Sequence, residues 1–237
     1  MRNTTKEIIN ELNKYRNEEK AAFLPRFFKT GKGQYGEGDQ FIGIVVPDIR
    51  IVAKQYIDAD QDTLRELLAS PVHEYRMTAL LILTYYYAKH KDNAERKACV
   101  DFYLSQVDAI NNWDLVDLSC YKILGHWLFD KDKQLLYDWA KENHLWKQRI
   151  AMISCMHFVK QGEFKDALAI ADLLQHHPHD LIHKAVGWIL REIGKEDEQL
   201  LVDYLTPRYK EMPRTMLRYA IERFEEEKRK AFLNSTI

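Results

Sequence analysis

Apolar residues recur at helical spacing along nearly the whole chain. Between positions 74 and 89, Met77, Leu80, Leu81, Thr84, Tyr87 and Ala88 fall on one stripe. Val116, Cys120, Ile123 and Trp127 follow at i, i+4, i+7 and i+11 within 112–129, and Ile182, Val186, Ile189 and Ile193 do the same within 180–193. Steps of three and four return a side chain to the same side of an α-helix, so each stretch is predicted to be a helix with one apolar face. The breaks between them are short: Ser70-Pro71, Asn111-Asn112, His177-Pro178 and Met212-Pro213. Such breaks imply antiparallel neighbours and an all-α fold.

One segment departs from this pattern. The stretch GKGQYGEGDQFIGIVVPDIR (31–50) holds five of the nine glycines, which marks it as a long, flexible loop ending in an apolar run, Phe41–Val46. The run has strand character, but no second strand is predicted to pair with it. It reads as an extended lead-in to a helix starting at Pro47, where a fixed φ suits the first turn.

A weak repeat runs through the rest. A basic residue followed by small and apolar ones recurs at Arg76, Arg149, Lys184 and Arg218, at intervals of 73, 35 and 34 residues, with Asn112-Trp113-Asp114 midway in the double interval. Helix pairs of about 35–40 residues predict a HEAT-like α-solenoid, a curved array in which one set of helices lines the concave side. The basic residues all belong to that second set, so the concave groove is expected to be basic. The expected organisation is one repeat domain over 1–237, with a helical cap about 1–30, the glycine-rich loop at 31–46 and repeats about 47–230.

Composition narrows the class. With 237 residues, 46 % of them apolar, the chain has ample material for a core, and nine Gly and six Pro are too few for a many-stranded β fold. Cys99, Cys120 and Cys155 are far apart with no ligand spacing and read as structural thiols in a reducing cytosol. No signal peptide and no apolar run near the ~18 residues of a membrane span is present, so a cytoplasmic protein with no membrane partner is expected. A net charge of −1 gives no global basic signature, so any nucleic-acid surface must concentrate its cations on one face. Lys147, Arg149, Lys184, Arg191, Arg214 and Arg218 all fall on second helices, while acids cluster at Glu196-Asp197-Glu198 and Glu225-Glu226-Glu227. No phosphate-binding loop, dinucleotide fingerprint or zinc spacing occurs, and His176, His177, His179 and His183 read as a surface cluster at a turn, so neither metal nor cofactor is expected.

Three places carry candidate chemistry. Lys184, Trp188 and Arg191 share a face apart from the apolar stripe, either a surface for phosphates and a sugar or base, or a tryptophan half-buried under two cationic stems. In NNWDLVDLS (111–119), Asn111 or Asn112 can cap a helix and Asp114 opposes its dipole. Trp113 and Asp117 are four apart and share a face; a carboxylate beside apolar surface is costly unless paired, and an ion pair through Arg149 is its structural alternative. In HLWKQRIAM (144–152), Arg149 holds the position of Lys184 in the next repeat, and Lys147 adds charge.

These segments carry a resemblance. NNWDLVD, WKQR and HKAVGWILRE, in this order and at these intervals, together with YGEGDQFIGIVVPDIR, resemble the signature segments of the AlkD-like DNA glycosylases, over about residues 20–225. The resemblance implies base excision repair of duplex DNA, by hydrolysis of the N-glycosidic bond of purines alkylated at N3 or N7. Such a base is already cationic and leaves readily, so a general acid is not needed; a stabilised oxocarbenium-like sugar and a positioned water are. By resemblance, Asp117 matches the catalytic aspartate, and Trp113 and Trp188 match tryptophans packed against the deoxyribose. Arg149 matches an arginine on backbone phosphate. Lys184 and Arg191, with Lys147, Arg214 and Arg218, would add DNA contacts. The base itself would enter no protein pocket. Within PRFFKT (25–30), Phe27 or Phe28 stands where the family can carry a tyrosine, so an aromatic DNA contact survives without its hydroxyl. The partner is then double-stranded DNA bearing alkylated bases, bound by a monomer that is nucleoid-associated when engaged. Two other readings share the repeat pattern: a protein-binding HEAT scaffold, which gives Trp113, Asp117, Arg149 and Trp188 no reason to converge, and a non-catalytic binder of branched or damaged DNA, which tolerates loss of Asp117.

Overall fold

The computed structural model describes residues 5–236, and among them every regular element is helical. The only extended pairing among those residues is an isolated parallel bridge between Gln40 and Val72. The chain folds as two compact units, Met1–Ser119 and Cys120–Ile237.

The first unit contains α1 (Thr5–Asn13), α2 (Glu18–Phe23), α3 (Pro25–Phe28), α4 (Val46–Gln55), α5 (Gln61–Leu68), α6 (His73–Lys89) and α7 (Asn93–Ser105), a 3-10 turn at Val107–Ala109, and α8 (Trp113–Cys120). Side-chain caps set several starts by satisfying free amides: Asn17 for α2, Asp60 for α5 and Asp92 for α7. The predicted helix at Pro47 begins one residue earlier, at Val46, with proline in its first turn. The helix α6 packs against α4, α5 and α7. It is buried without interruption from His73 to Thr84, so it is a central helix enclosed on all sides and not the one-faced helix expected. Ala88, placed on the predicted stripe, is exposed.

The second unit opens on a π-helical turn, Tyr121–Gly125, and continues with α9 (His126–Leu128), α10 (Gln134–Lys141), α11 (Leu145–Val159), α12 (Lys165–Leu174), α13 (Asp180–Glu196), α14 (Glu198–Leu205), α15 (Arg214–Ala220) and α16 (Glu226–Asn234). Here the repeat is plain: α11, α13 and α15 pack side by side, with α10 behind α11, α12 behind α11 and α13, and α14 behind α13. The predicted stripe of α13 is the core, since Ile182, Val186, Ile189 and Ile193 are all fully buried. Gly187 lets α15 approach: a Cβ there would meet the Met216 carbonyl oxygen and the Tyr219 Cβ, each at 2.5 Å. The three cysteines are buried and unbridged.

The repeated basic residues have a role the pattern did not announce. Arg76 and Arg149 are 5 % and 4 % exposed. Arg76 donates through Nη1 to Asn111 Oδ1 at 2.6 Å, just before α8, and Arg149 donates to the Leu181 carbonyl in the first turn of α13. Within each unit the repeat's arginine is thus a strut to the start of the next second helix, in place of the open groove-lining cation expected at these two positions. Lys184 is half-exposed and Arg218 exposed.

The loop at 31–46 is also not free along its length. Its first half is a series of turns, but from Asp39 onward the backbone is held. Gln40 donates to the Pro71 carbonyl at 2.9 Å and accepts from the His73 amide at 2.8 Å. The Glu74 carboxylate accepts from the amides of Ile42, Gly43 and Ile44 at 2.8–3.3 Å, and the Asn17 amide donates to the Ile42 carbonyl at 3.1 Å. Gly43 sits at φ +80°, with Asn17 O only 2.0 Å from where a Cβ would stand. A buried extended segment without a partner strand must satisfy its amides elsewhere, and Glu74 does so.

Candidate active site

The first unit fixes the start of α8 through a buried polar network. Asn112 Oδ1 accepts from the Trp113 amide at 2.8 Å, and Asp114 Oδ1 from the Leu115 amide at 2.8 Å. The other Asp114 oxygen meets His73 Nε2 at 2.8 Å. On its far side His73 Nδ1 lies 3.5 Å from Asp39 Oδ2. Asp39 is also 2.6 Å from Arg76 Nη2 and accepts from Asn112 Nδ2 at 3.1 Å. Asp114 thus does more than oppose a dipole: with Asp39, His73, Arg76, Asn111 and Asn112 it ties the loop, α6 and the α8 start together.

The charges in this network sustain one another. Burial opposes a charged imidazole at His73, but the adjacent Asp114 and Asp39 outweigh it and push its pKa up to about 9. Burial likewise opposes ionisation of Asp39, yet His73, Arg76 and Asn112 hold its carboxyl below the ordinary range.

A column of rings stands against the same network. Trp113 stacks on Phe28 (centroids 5.3 Å, planes 12° apart), Phe28 on Phe41 (4.9 Å, 22°), and Phe41 on His73 (4.8 Å, 26°). Of the two phenylalanines weighed from sequence, Phe28 is the buried one in the column, while Phe27 is 58 % exposed. Beside the column lies an open apolar cavity of about 200 Å³, walled by Phe28, Phe41, Ile44 and Met77. Its polar lining is Glu74, His73 and Asp114, all members of the buried network that holds the loop and the start of α8.

Asp117 lies one turn beyond Trp113 on α8, and both are half-buried. A one-turn spacing sets the carboxylate and the indole side by side on one helix face.

The remaining candidates lie in the second unit, among α11, α13 and α15. Trp188 is half-buried on α13 between Lys184 and Arg191. Lys184 pairs with Asp180 at 2.7 Å, and Arg191 with Glu222. Lys147 pairs with Glu142 at 2.6 Å and lies 6.0 Å from the Trp139 ring. Arg214 is exposed and donates to the Leu233 carbonyl at 3.0 Å, and Arg218 is exposed. Sequence reasoning missed His73 and Asp39 altogether. They stand 41 and 75 residues from Asp114 along the chain, so spacing offered no signal.

Comparison with solved structures gives the same architecture. A predicted DNA alkylation repair enzyme from Enterococcus faecalis is similar over 89 % of this chain and 97 % of its own, with a TM-score of 0.68 and 16 % identity. AlkD2 from Streptococcus mutans covers 88 % of this chain and 99 % of its own, with a TM-score of 0.54 and 17 % identity. At such identities the likeness is one of fold. No curated protein matches the sequence. The sequence profile of the DNA alkylation repair enzyme family, however, matches residues 8–224, nearly the whole chain, and the protein belongs to that family.

Proposed function

We propose that the protein is a DNA glycosylase that hydrolyses the N-glycosidic bond of N3- or N7-alkylated purines in duplex DNA. The observation that carries this reading is the pairing of Trp113 with Asp117 on one face of α8, both open in part to solvent, on a helix start held by a buried charge network. Departure of a cationic base leaves positive charge on the sugar. A carboxylate beside it offsets that charge and can orient the attacking water, while an indole face favours a cationic sugar without bonding to it. No proton need be given to the base.

In this reading Trp188 of α13 is the second indole against the lesion sugar. Lys184, Arg191, Arg214 and Arg218 meet phosphates from the second unit, with Lys147 beside them. Arg149, which donates to the Leu181 carbonyl and is 4 % exposed, holds the start of α13 and would meet a phosphate with its remaining donors. Phe27, exposed on α3, is the aromatic DNA contact of the first unit.

The test is release of N7-methylguanine from methylated duplex DNA by the wild type and Asp117→Asn. Free base from the wild type, with most release lost in a variant that still binds DNA, is expected. Equal release by both would remove Asp117 from the mechanism. Binding without release by either would make the protein a non-catalytic DNA binder.

A further inference from the structure

Where α5 and α7 pack on α6, the first unit leaves a cavity of about 440 Å³, within the range of roughly 300–1,000 Å³ for small-molecule sites. On α7 its lining includes Ala94 and Ala98, one turn apart, whose methyl groups are too short to fill the space between the helices. The depth and the mouth of this cavity differ in character. Leu64, Leu83 and Cys99 are each 3 % exposed and form the floor, whereas Asp58 and Asp60 are exposed and Glu95 is half-buried. Tyr86 makes one wall, its ring stacked on His90 at 4.0 Å and 25°. Leu83 stands about 15 Å along α6 from His73, so the cavity is separate from the network at the α8 start.

The charges of the lining point to the ligand. Asp58, Asp60 and Glu95 line the cavity, and no lysine or arginine does. Lys89 reaches Asp58 at 2.7 Å, but both side chains are more than half exposed and the pair is screened by water. Glu95 meets His90 Nδ1 at 2.8 Å, and Asp60 accepts from the Thr63 amide at 2.8 Å. A carboxylate has about four lone-pair directions, so each of the three keeps capacity for a further donor. Their field reaches inside. Burial and Glu95 push the Cys99 thiol up to about 11, and burial, then Glu95, raises the Tyr86 hydroxyl. Cys99 also makes no hydrogen bond among the described residues, whereas Cys155 donates to the Ala151 carbonyl at 3.4 Å. An S–H left unspent at the floor suits an aromatic face, onto which a weak donor can point. An apolar depth under an anionic mouth selects a cation with an apolar body and repels an anion of the same shape.

We infer that this cavity binds a small aromatic amine, with its ring against Leu64, Leu83 and Tyr86 over the Cys99 thiol and its ammonium between Asp58 and Glu95. The ring contributes by leaving water, and the ammonium by charge-assisted hydrogen bonds to the carboxylates. An occupant that touches α5, α6 and α7 at once holds the three together and stabilises the first unit as its concentration rises above Kd. The site needs no DNA, so it stands whether or not the protein is a glycosylase.

The experiment is calorimetric titration of the full chain with three probes that share one ring system: tryptamine, indole and indole-3-propionate. Tryptamine should bind about tenfold more tightly than indole, the effect of one charge-assisted hydrogen bond, and indole-3-propionate should not bind. Asp58→Asn and Glu95→Gln should each weaken tryptamine about tenfold and leave indole unchanged. Ala98→Phe plugs the cavity from an exposed position, so it should abolish tryptamine binding without lowering the Tm of the free protein. Saturating tryptamine should raise the Tm of the wild type and not that of Ala98→Phe. Absence of binding by all three probes would show that the cavity takes no such ligand. Equal affinity for the three would remove the carboxylates from recognition. Tryptamine binding by Ala98→Phe at wild-type strength would place the amine elsewhere on the protein, and each of these results overturns the inference.

Discussion

His73 on α6 and Asp114 on α8 meet at 2.8 Å in a site where the imidazole is 2 % exposed. The folded-state pKa of His73, about 9, lies above the roughly 6.5 of an unfolded histidine. The pairing therefore contributes stability that is fully present below about pH 6.5 and is lost as pH rises through about 9. Thermal melts from pH 6.5 to 10 should show the wild type losing up to about 3 kcal/mol over that window. His73→Leu should be less stable at neutral pH and should lack that component of the pH dependence. An unchanged slope in His73→Leu would mean that the imidazole is not charged.

Glu74 serves three consecutive amides with one carboxylate. Glu74→Gln replaces one acceptor oxygen by a donor facing those amides, at a cost of about 1–3 kcal/mol. Hydrogen exchange should locate the effect: the amides of Ile42 and Ile44 should lose protection more than those in α11. Uniform change across the chain would argue for global destabilisation instead.

Gly187 precedes Trp188 in the signature segment but serves packing. Gly187→Ala drives a methyl into the Met216 carbonyl and Tyr219, so α13 and α15 must part. A loss of about 2–3 kcal/mol is expected in denaturant unfolding. A variant as stable as the wild type would show that the two helices separate freely.

Arg149→Ala removes the strut from α11 to the first turn of α13 and leaves the Leu181 carbonyl short of a charged donor. A loss of about 2–3 kcal/mol in stability is expected. The salt dependence of DNA binding should change less in this variant than in Arg218→Ala, whose side chain is exposed. The reverse order would place the Arg149 guanidinium on a phosphate.

The fold was legible because helical periodicity is local. The stripe of α13 and the breaks at Pro71, Asn112, Pro178 and Pro213 all appear where the pattern put them. The enclosure of α6 was less legible, because a buried helix needs no polar face and its period fades. The repeated basic positions were visible, but whether a cation reaches solvent or a carbonyl depends on the helix packed beside it. For Arg76 and Arg149 the neighbour decided against solvent. Trp113 and Asp117 could be paired by counting residues, whereas His73, Asp39 and Phe28 come to the α8 start only through tertiary packing, which leaves no mark in local spacing.

The glycine-rich stretch divides into two parts with opposite tolerance for change. Gly33 holds a φ of +76° with open space around it, so extra residues inserted beside it would only lengthen an exposed turn. From Asp39 to Ile44 each successive residue is tied to α6, to the α8 start or to Asn17, and one added residue would shift every tie out of register. The tip is where a homologue can acquire or shed length, and where a reporter peptide can be grafted. The tether a few residues later admits neither.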